Sequence, residues 1–291
     1  MKKVKMVIGL VMMLCTVVVI AGCGSSSSAD TEKKDTLATI KENGKLVVGT
    51  SPDFPPMEFY ILEDGKKKIV GSDMALAQAI ADEIGVDLEI KGTDFNGVLA
   101  NIQSGKIDLG ISGFSQTKER EKVMDFSTAY DQATSEGFQG LLVTKETASK
   151  YKSLDELKEA NLKLGAQSGS IQYELAMDLT EASNIKQYGT TDAAYLALNA
   201  GDLDAVVVST DTAKPALKTF DNLEILPQES FDLDPDGYYA KNVIGIPKSE
   251  ENESLIKVVN KVIKESVDNG NYKEWQAEAL EQSKNAVDTD D

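Results

Sequence analysis

The chain has 291 residues, of which 41% are hydrophobic, 27% charged and 6% aromatic, enough apolar content for real cores and enough length for two α/β domains, so wholesale disorder is excluded. Acidic residues outnumber basic ones 48 to 30, a formal charge of −18, which excludes nucleic acid and anionic lipid as partners held by bulk attraction. There is no histidine, so Ser-His and Cys-His catalytic pairs and the common zinc sites are excluded as well.

Lys2, Lys3 and Lys5 precede an apolar run from Met6 to Ile20, interrupted only by Gly9 and Thr16. A membrane span needs about 20 residues, and this run is shorter. It ends in Ile20-Ala21-Gly22-Cys23, which resembles a bacterial lipobox. Residues 1–22 are therefore expected to be a lipoprotein signal peptide, with Cys23 the lipidated N-terminus after cleavage. The alternative is an ordinary signal peptide followed by a chance cysteine. Cys15 would leave with the signal, so no disulfide and no catalytic thiol are expected in one mature chain. The polar stretch from Gly24 to Lys34 reads as a flexible tether, giving an anchor-and-tether segment over 23–36. The expected location is the extracytoplasmic face of the cell membrane, with a Gram-positive surface and a Gram-negative periplasm both open.

From Lys45 the chain alternates strands and helices. Lys45–Gly49 is expected as a strand, and Met74–Ile84 as a helix opening near Ser72-Asp73 and stopped by Gly85. Val86–Ile90 follows as a strand, Val98–Gln103 as a short helix and Leu109–Ser112 as a buried strand. In the second half, Ser153-Leu154-Asp155-Glu156 looks like a capping box. Lys163–Ala166 is expected as a strand, Ser170–Leu179 and Asp192–Asn199 as helices, and Ala205–Val208 as a fully apolar strand. Val243–Ile246 is expected as a strand leading to amphipathic helices at Ser254–Val267 and Tyr272–Gln282. This alternation implies βαβ units and mostly parallel sheets.

Two segments repeat each other 96 positions apart: Ile102-Gln103-Ser104-Gly105-Lys106-Ile107-Asp108-Leu109 and Leu198-Asn199-Ala200-Gly201-Asp202-Leu203-Asp204-Ala205. Each is a helix end, a glycine and an aliphatic-Asp pair entering a strand. Shared αβ-turn chemistry is one explanation; two similar lobes are the preferred one.

Several stretches, in order, resemble the polar-amino-acid substrate-binding proteins of bacterial ABC transporters. They are Lys45–Thr50, Phe54-Pro55-Pro56-Met57-Glu58-Phe59, Val70-Gly71-Ser72-Asp73, Gln103–Asp108, Thr117-Lys118-Glu119-Arg120 and Asp125-Phe126-Ser127. The likeness covers about Leu37 to Gln282. It implies a two-lobed periplasmic-binding-protein-like α/β fold with two hinge crossings and a ligand cleft between the lobes. Lobe 1 is expected at 37–140 plus 241–285, lobe 2 at 141–240, and an acidic tail at 286–291. The first crossing, Tyr130–Leu141, is longer than the family's usual one.

Arg120 is the only arginine in the sequence. It follows a strand, in a loop with small hydroxyl residues, and its planar fork can grip a carboxylate where lysine offers only a point charge. The resemblance makes Arg120 the clamp for an amino acid's α-carboxylate, with Ser112, Gly113 and Ser115 around it. The alternative is a surface arginine paired with Glu119 or Glu121. The family also places Phe54 and Phe95 as rings sandwiching the ligand, and Gln167 and Ser170 as second-lobe contacts; core packing and a plain helix cap are the competing explanations. Where the family commonly has an ammonium-binding aspartate, this chain has Ser209, with Asp211 two residues on as a substitute. Ser51 likewise stands where several members binding basic amino acids carry aspartate.

The expected function is a non-enzymatic, monomeric receptor that binds an amino acid and delivers it to an ABC permease, with no cofactor, no metal and no nucleic acid. A sensory or adhesive surface domain is the second hypothesis. A dehydratase on the same fold is the third, and it would need a positioned acid or base in the cleft.

Overall fold

The computed structural model describes residues 34–132 and 137–287. The signal peptide expected at 1–22, Cys23 and most of the tether lie outside the described residues, as do residues 288–291. Among the described residues no helix is long and apolar enough to cross a membrane.

Two five-stranded sheets organise the chain. In the first, the order is Asp87–Gly92, Lys45–Thr50, Leu109–Gly110, Gly245–Pro247 and Met124–Phe126. In the second it is Ile185–Tyr188, Leu164–Gln167, Ala205–Ser209, Gln139–Thr144 and Leu223–Ile225. The first three strands of each sheet are parallel, and antiparallel pairing joins the remaining two. One plan thus occurs twice, giving two lobes. The chain passes between them twice, and the crossing strands Asp131–Gln132 and Lys241–Asn242 pair side by side.

Helices cover both faces of each sheet. In the first lobe, Ser72–Ile84 and Glu253–Asp268 pack on one face against Leu46, Val48 and Leu109. Phe95–Gln103 covers the other face with Val98, Ile102 and Phe114. In the second lobe, Ala205 and Val207 point into one core and Val206 and Val208 into another. That strand is apolar throughout because both its faces are buried.

The repeated segment is the same joint in both lobes. Lys106 N–H bonds to the Asn101 carbonyl and Gly105 N–H to that of Ile102; Asp202 and Gly201 bond in the same way to Ala197 and Leu198. Gly105 (φ 65°) and Gly201 (φ 83°) take the left-handed conformation this helix ending requires. Asp108 then accepts from the Val47 N–H at 2.8 Å, and Asp204 accepts from the Lys163 N–H at 2.8 Å. Each aspartate ties the end of a crossover to the neighbouring strand, which explains why the pair of residues recurs.

Several boundaries differ from the expectations. The helix expected from Val98 starts at Phe95, because the Asp94 carboxylate caps it by accepting from the Gly97 N–H. The strand expected over Leu109–Ser112 pairs only at Leu109–Gly110, since beyond Ile111 the chain turns into the site. Val243 and Ile244 bond to Phe114 and Ser127 instead of joining Gly245–Pro247. Helix Thr36–Asn43, capped by Asp35, begins inside the expected tether. The strand opening the second sheet's antiparallel part starts at Gln139, inside the span expected for lobe 1. Ala286–Val287 pairs with Glu58–Glu63, so the ordered body runs into the expected tail. The hairpin Glu58–Glu63/Lys66–Val70 is new, although its turn, Asp64-Gly65, is a strong two-residue hairpin signal.

Candidate functional site

A cavity of about 520 Å³ lies between the lobes. Phe54, Phe95, Ser112, Gly113, Ser115 and Arg120 line it from the first lobe, and Gln167, Ser170 and Asp211 from the second. The nine candidate ligand contacts thus line one cavity, but the structure gives them different amounts of freedom.

Arg120 is only 7% exposed, which rules out a surface arginine. Its two suggested partners are engaged elsewhere: Glu119 with Lys122 at 2.5 Å, and Glu121 with the Gln116 amide at 2.7 Å. The guanidinium donates to the Ser115 carbonyl at 2.6 Å and, across the cleft, to the Gly169 carbonyl at 3.1 Å. Its carbon lies 5.4 Å from the centre of the Phe95 ring and 5.7 Å from that of Phe114, within cation–π range. Among the described residues no carboxylate forms an ion pair with it. Burial lowers its pKa to about 10, opposed by the charge of Glu174, so it stays a cation at neutral pH. A buried, charged fork with two of its five N–H groups spent on carbonyls is equipped to bind an anion.

Phe95 packs against Phe114 with ring centres 5.1 Å apart and belongs to the core as well as the cavity. Phe54 is half-buried, and its ring lies over Gly113. Gly113 sits at φ 57°, and a methyl group there would come within 3.1 Å of the Phe54 ring. Glycine is required on both counts. Phe59 is buried in the core, and Phe126 is partly buried against the cluster of Phe95, Val98 and Phe114.

The hydroxyl groups are largely committed. Ser112 Oγ donates to Glu58 Oε1 at 3.0 Å and accepts from the Ser51 N–H at 2.9 Å. Ser115 Oγ donates to the Tyr239 carbonyl at 2.9 Å. Ser170 Oγ donates to the Gln167 carbonyl and accepts from the Tyr173 N–H, so it does cap its helix. The Gln167 amide nitrogen donates to Asp53 at 2.8 Å, leaving its oxygen for the cavity. Asp211 pairs with Lys214 at 2.7 Å and its side chain is 43% exposed. Ser51 donates to Asp53 at 2.6 Å.

Three buried carboxyl groups were not singled out in the sequence. Asp53 borders the cavity beneath Phe54. Glu58 and Asp73 are both fully buried behind the Ser112-Gly113 loop. Asp73 accepts from the Tyr130 hydroxyl at 2.7 Å and the Gly113 N–H at 3.1 Å. Burial, and then the charge of Asp73, pushes the Glu58 pKa well up; burial pushes that of Asp73 up to about 6. Of the pair Glu58 is raised well above the usual carboxylate range, and its hydrogen bond to Asp73 lowers the Asp73 value against that burial. The available signal was acidic residues inside otherwise apolar or turn-forming stretches, at Asp53-Phe54-Pro55 and Met57-Glu58-Phe59.

Residues 46–282 match the model of the bacterial extracellular solute-binding proteins, family 3. The chain belongs to this family. It is 30% identical over 254 residues to the L-cystine-binding protein TcyJ of Escherichia coli (strain K12), covering 87% of this chain and 88% of that one. It is 30% identical over 260 residues to the arginine-binding extracellular protein ArtP of Bacillus subtilis (strain 168), covering 88% and 90%. Among solved structures, it resembles the amino acid ABC transporter substrate-binding protein AbpA of Streptococcus pneumoniae bound to L-arginine. That match has 36% identity and a TM-score of 0.73, covering 84% of this chain and 98% of that one. These relatives are named as amino-acid-binding proteins, and AbpA as a substrate-binding protein of an amino acid ABC transporter. The dehydratase idea survives as a fold relationship: a 27% identical structure with a TM-score of 0.71 is an ancestral amino acid-binding protein described as a precursor of cyclohexadienyl dehydratase.

Proposed function

We infer that this protein is an extracytoplasmic receptor that binds one amino acid, with its α-carboxylate on Arg120, and hands it to the permease of an ABC importer. The observation that carries this reading is the buried guanidinium of Arg120 in the cavity between the lobes, with no carboxylate partner among the described residues. Phe54 and Phe95 flank the ligand's body, Gly113 lets it approach the backbone, and Gln167 offers its amide oxygen. Asp211 is tied to Lys214 in the structure, so binding the ammonium means exchanging one cation for another. The receptor acts as a monomer and needs no cofactor.

A thermal-shift panel of the twenty amino acids and L-cystine on residues 24–291 tests the reading. A ligand at a hundred times its dissociation constant adds about 2.7 kcal/mol to the folded state, or a rise of about 5 °C or more in melting temperature. A panel without any such rise overturns it.

The same reading places the receptor on a lipid anchor at Cys23. Cys23→Ala is expected to abolish lipidation and release the protein from the membrane fraction. Unchanged cleavage and retention in that variant would reject the lipobox.

A further inference from the structure

We propose that Asp53 is a positioning residue that fastens the two lobes in the closed state and so sets how long a bound amino acid stays. This rests on the receptor reading above and deepens it, because the residue acts between the lobes and not on the ligand.

Asp53 stands on the two-residue strand Asp53–Phe54 of the first lobe and is 4% exposed. Its Oδ1 accepts from Ser51 Oγ at 2.6 Å, within its own lobe. Its Oδ2 accepts from two second-lobe donors, the Gln167 amide at 2.8 Å and the Thr191 backbone N–H at 2.6 Å. The Asp53 carbonyl takes the Thr191 hydroxyl at 2.8 Å. Thr191 opens a nine-residue helix, so the carboxylate also meets that helix's positive end. Among the described residues no lysine or arginine pairs with it; hydrogen bonds and the helix dipole meet the carboxylate.

Three of these four bonds cross between the lobes. Asp53 borders the cleft, but both its carboxylate oxygens are taken, so it has little left for a ligand. The Arg120–Gly169 bond also crosses, yet it is made by the group that grips the ligand. Asp53 joins lobe to lobe without itself gripping the ligand. When the second lobe swings away, Asp53 keeps Ser51 and loses the rest to water. Removing its side chain leaves the Gln167 amide and the Thr191 N–H without their acceptor in the closed form, which disfavours closure. Apparent affinity scales with the closed fraction, so a latch acts on residence time.

The test is stopped-flow binding of the strongest amino acid in the panel to residues 24–291 carrying Asp53→Ala. The dissociation rate is expected to rise about tenfold, with the association rate within about twofold and the rank order of the panel unchanged. Thr191→Val removes only the hydroxyl bond and should move the dissociation rate the same way by less. If Asp53→Ala does not fold, Asp53→Leu is read in its place; it keeps about the volume and offers the Gln167 and Thr191 donors no acceptor. An unchanged dissociation rate overturns the proposal. So does a reordered panel, which would make Asp53 a ligand contact. Should the wild type bind no amino acid, the receptor reading fails by itself, and the latch is judged by exchange of the Thr191 amide hydrogen. Faster exchange in Asp53→Ala supports it, and equal exchange overturns it.

Discussion

Arg120→Ala is expected to weaken amino-acid binding by about 100-fold or more while the protein stays folded. A hydrogen bond to a charged group contributes about 1.5–3 kcal/mol, and a bidentate carboxylate grip makes two of them. At 1.4 kcal/mol per factor of ten, losing both reaches about two to four decades. The fold survives because Ser115, whose carbonyl Arg120 serves, and Ser170, next to Gly169, line a cavity that can supply water to the freed carbonyls. Arg120→Lys keeps the charge but not the fork. It cannot hold both carbonyls and a carboxylate from one ammonium between the Phe95 and Phe114 rings. A loss of at least about tenfold is expected there. With its pKa near 10, Arg120 stays charged from pH 6 to 8, so the clamp itself adds no pH dependence over that range. Calorimetric titration with the amino acid found in the panel, alongside circular dichroism, decides the matter. Wild-type affinity in folded Arg120→Ala would remove the clamp.

Asp73→Asn is expected to raise stability at pH 8 and to flatten its dependence on pH. The Asp73 carboxyl has its pKa raised from an ordinary value near 4 to about 6 in the folded protein. The sign follows from proton binding. Between those values the folded chain holds a proton that the unfolded chain has released, so stability falls as pH rises. The contribution is fully present below pH 4 and is lost on passing pH 6. Two pKa units correspond to about 3 kcal/mol. Glu58, raised further by burial, extends the same trend upward. The exposed acids held low by lysine, such as Glu89 and Glu146, act in the opposite sense but only below their ordinary range. Asparagine resembles the protonated acid, since its oxygen still accepts from Tyr130 and Gly113 and its nitrogen can donate to Glu58. Urea unfolding at pH 5 and pH 8 measures the effect. Equal slopes in wild type and variant would show that the pair does not titrate in this window.

Local signals placed most of the helices and parallel strands well. The helix stop at Gly85, the cap at Ser153 and the repeated glycine joint depend on neighbours within a few residues, so they are legible in the chain. Failures came where partners are remote. The Leu109 strand ends early because the next residues are drawn to Glu58 and Asp73, about 40–55 positions away. Ala286–Val287 looked like tail because its partner strand lies more than 200 positions earlier.

Taken alone, the sequence determined an alternating α/β chain with a repeated helix–glycine–strand joint, that catalysis through histidine is absent, and that one arginine stands in a loop suited to an anion. Periodicity, glycine stops and composition are properties of short windows and of residue counts. Only the tertiary structure decided which polar groups in the cleft are free. Ser112, Ser115 and Ser170 look alike as candidate contacts, yet their hydroxyls are spent on Glu58, Tyr239 and a helix end. Asp53, not singled out in the sequence, accepts from Gln167 and Thr191 of the other lobe. A hydrogen bond is made or not according to which atoms come within about 3 Å. For groups more than a hundred residues apart, that distance is set by the packing of both lobes together.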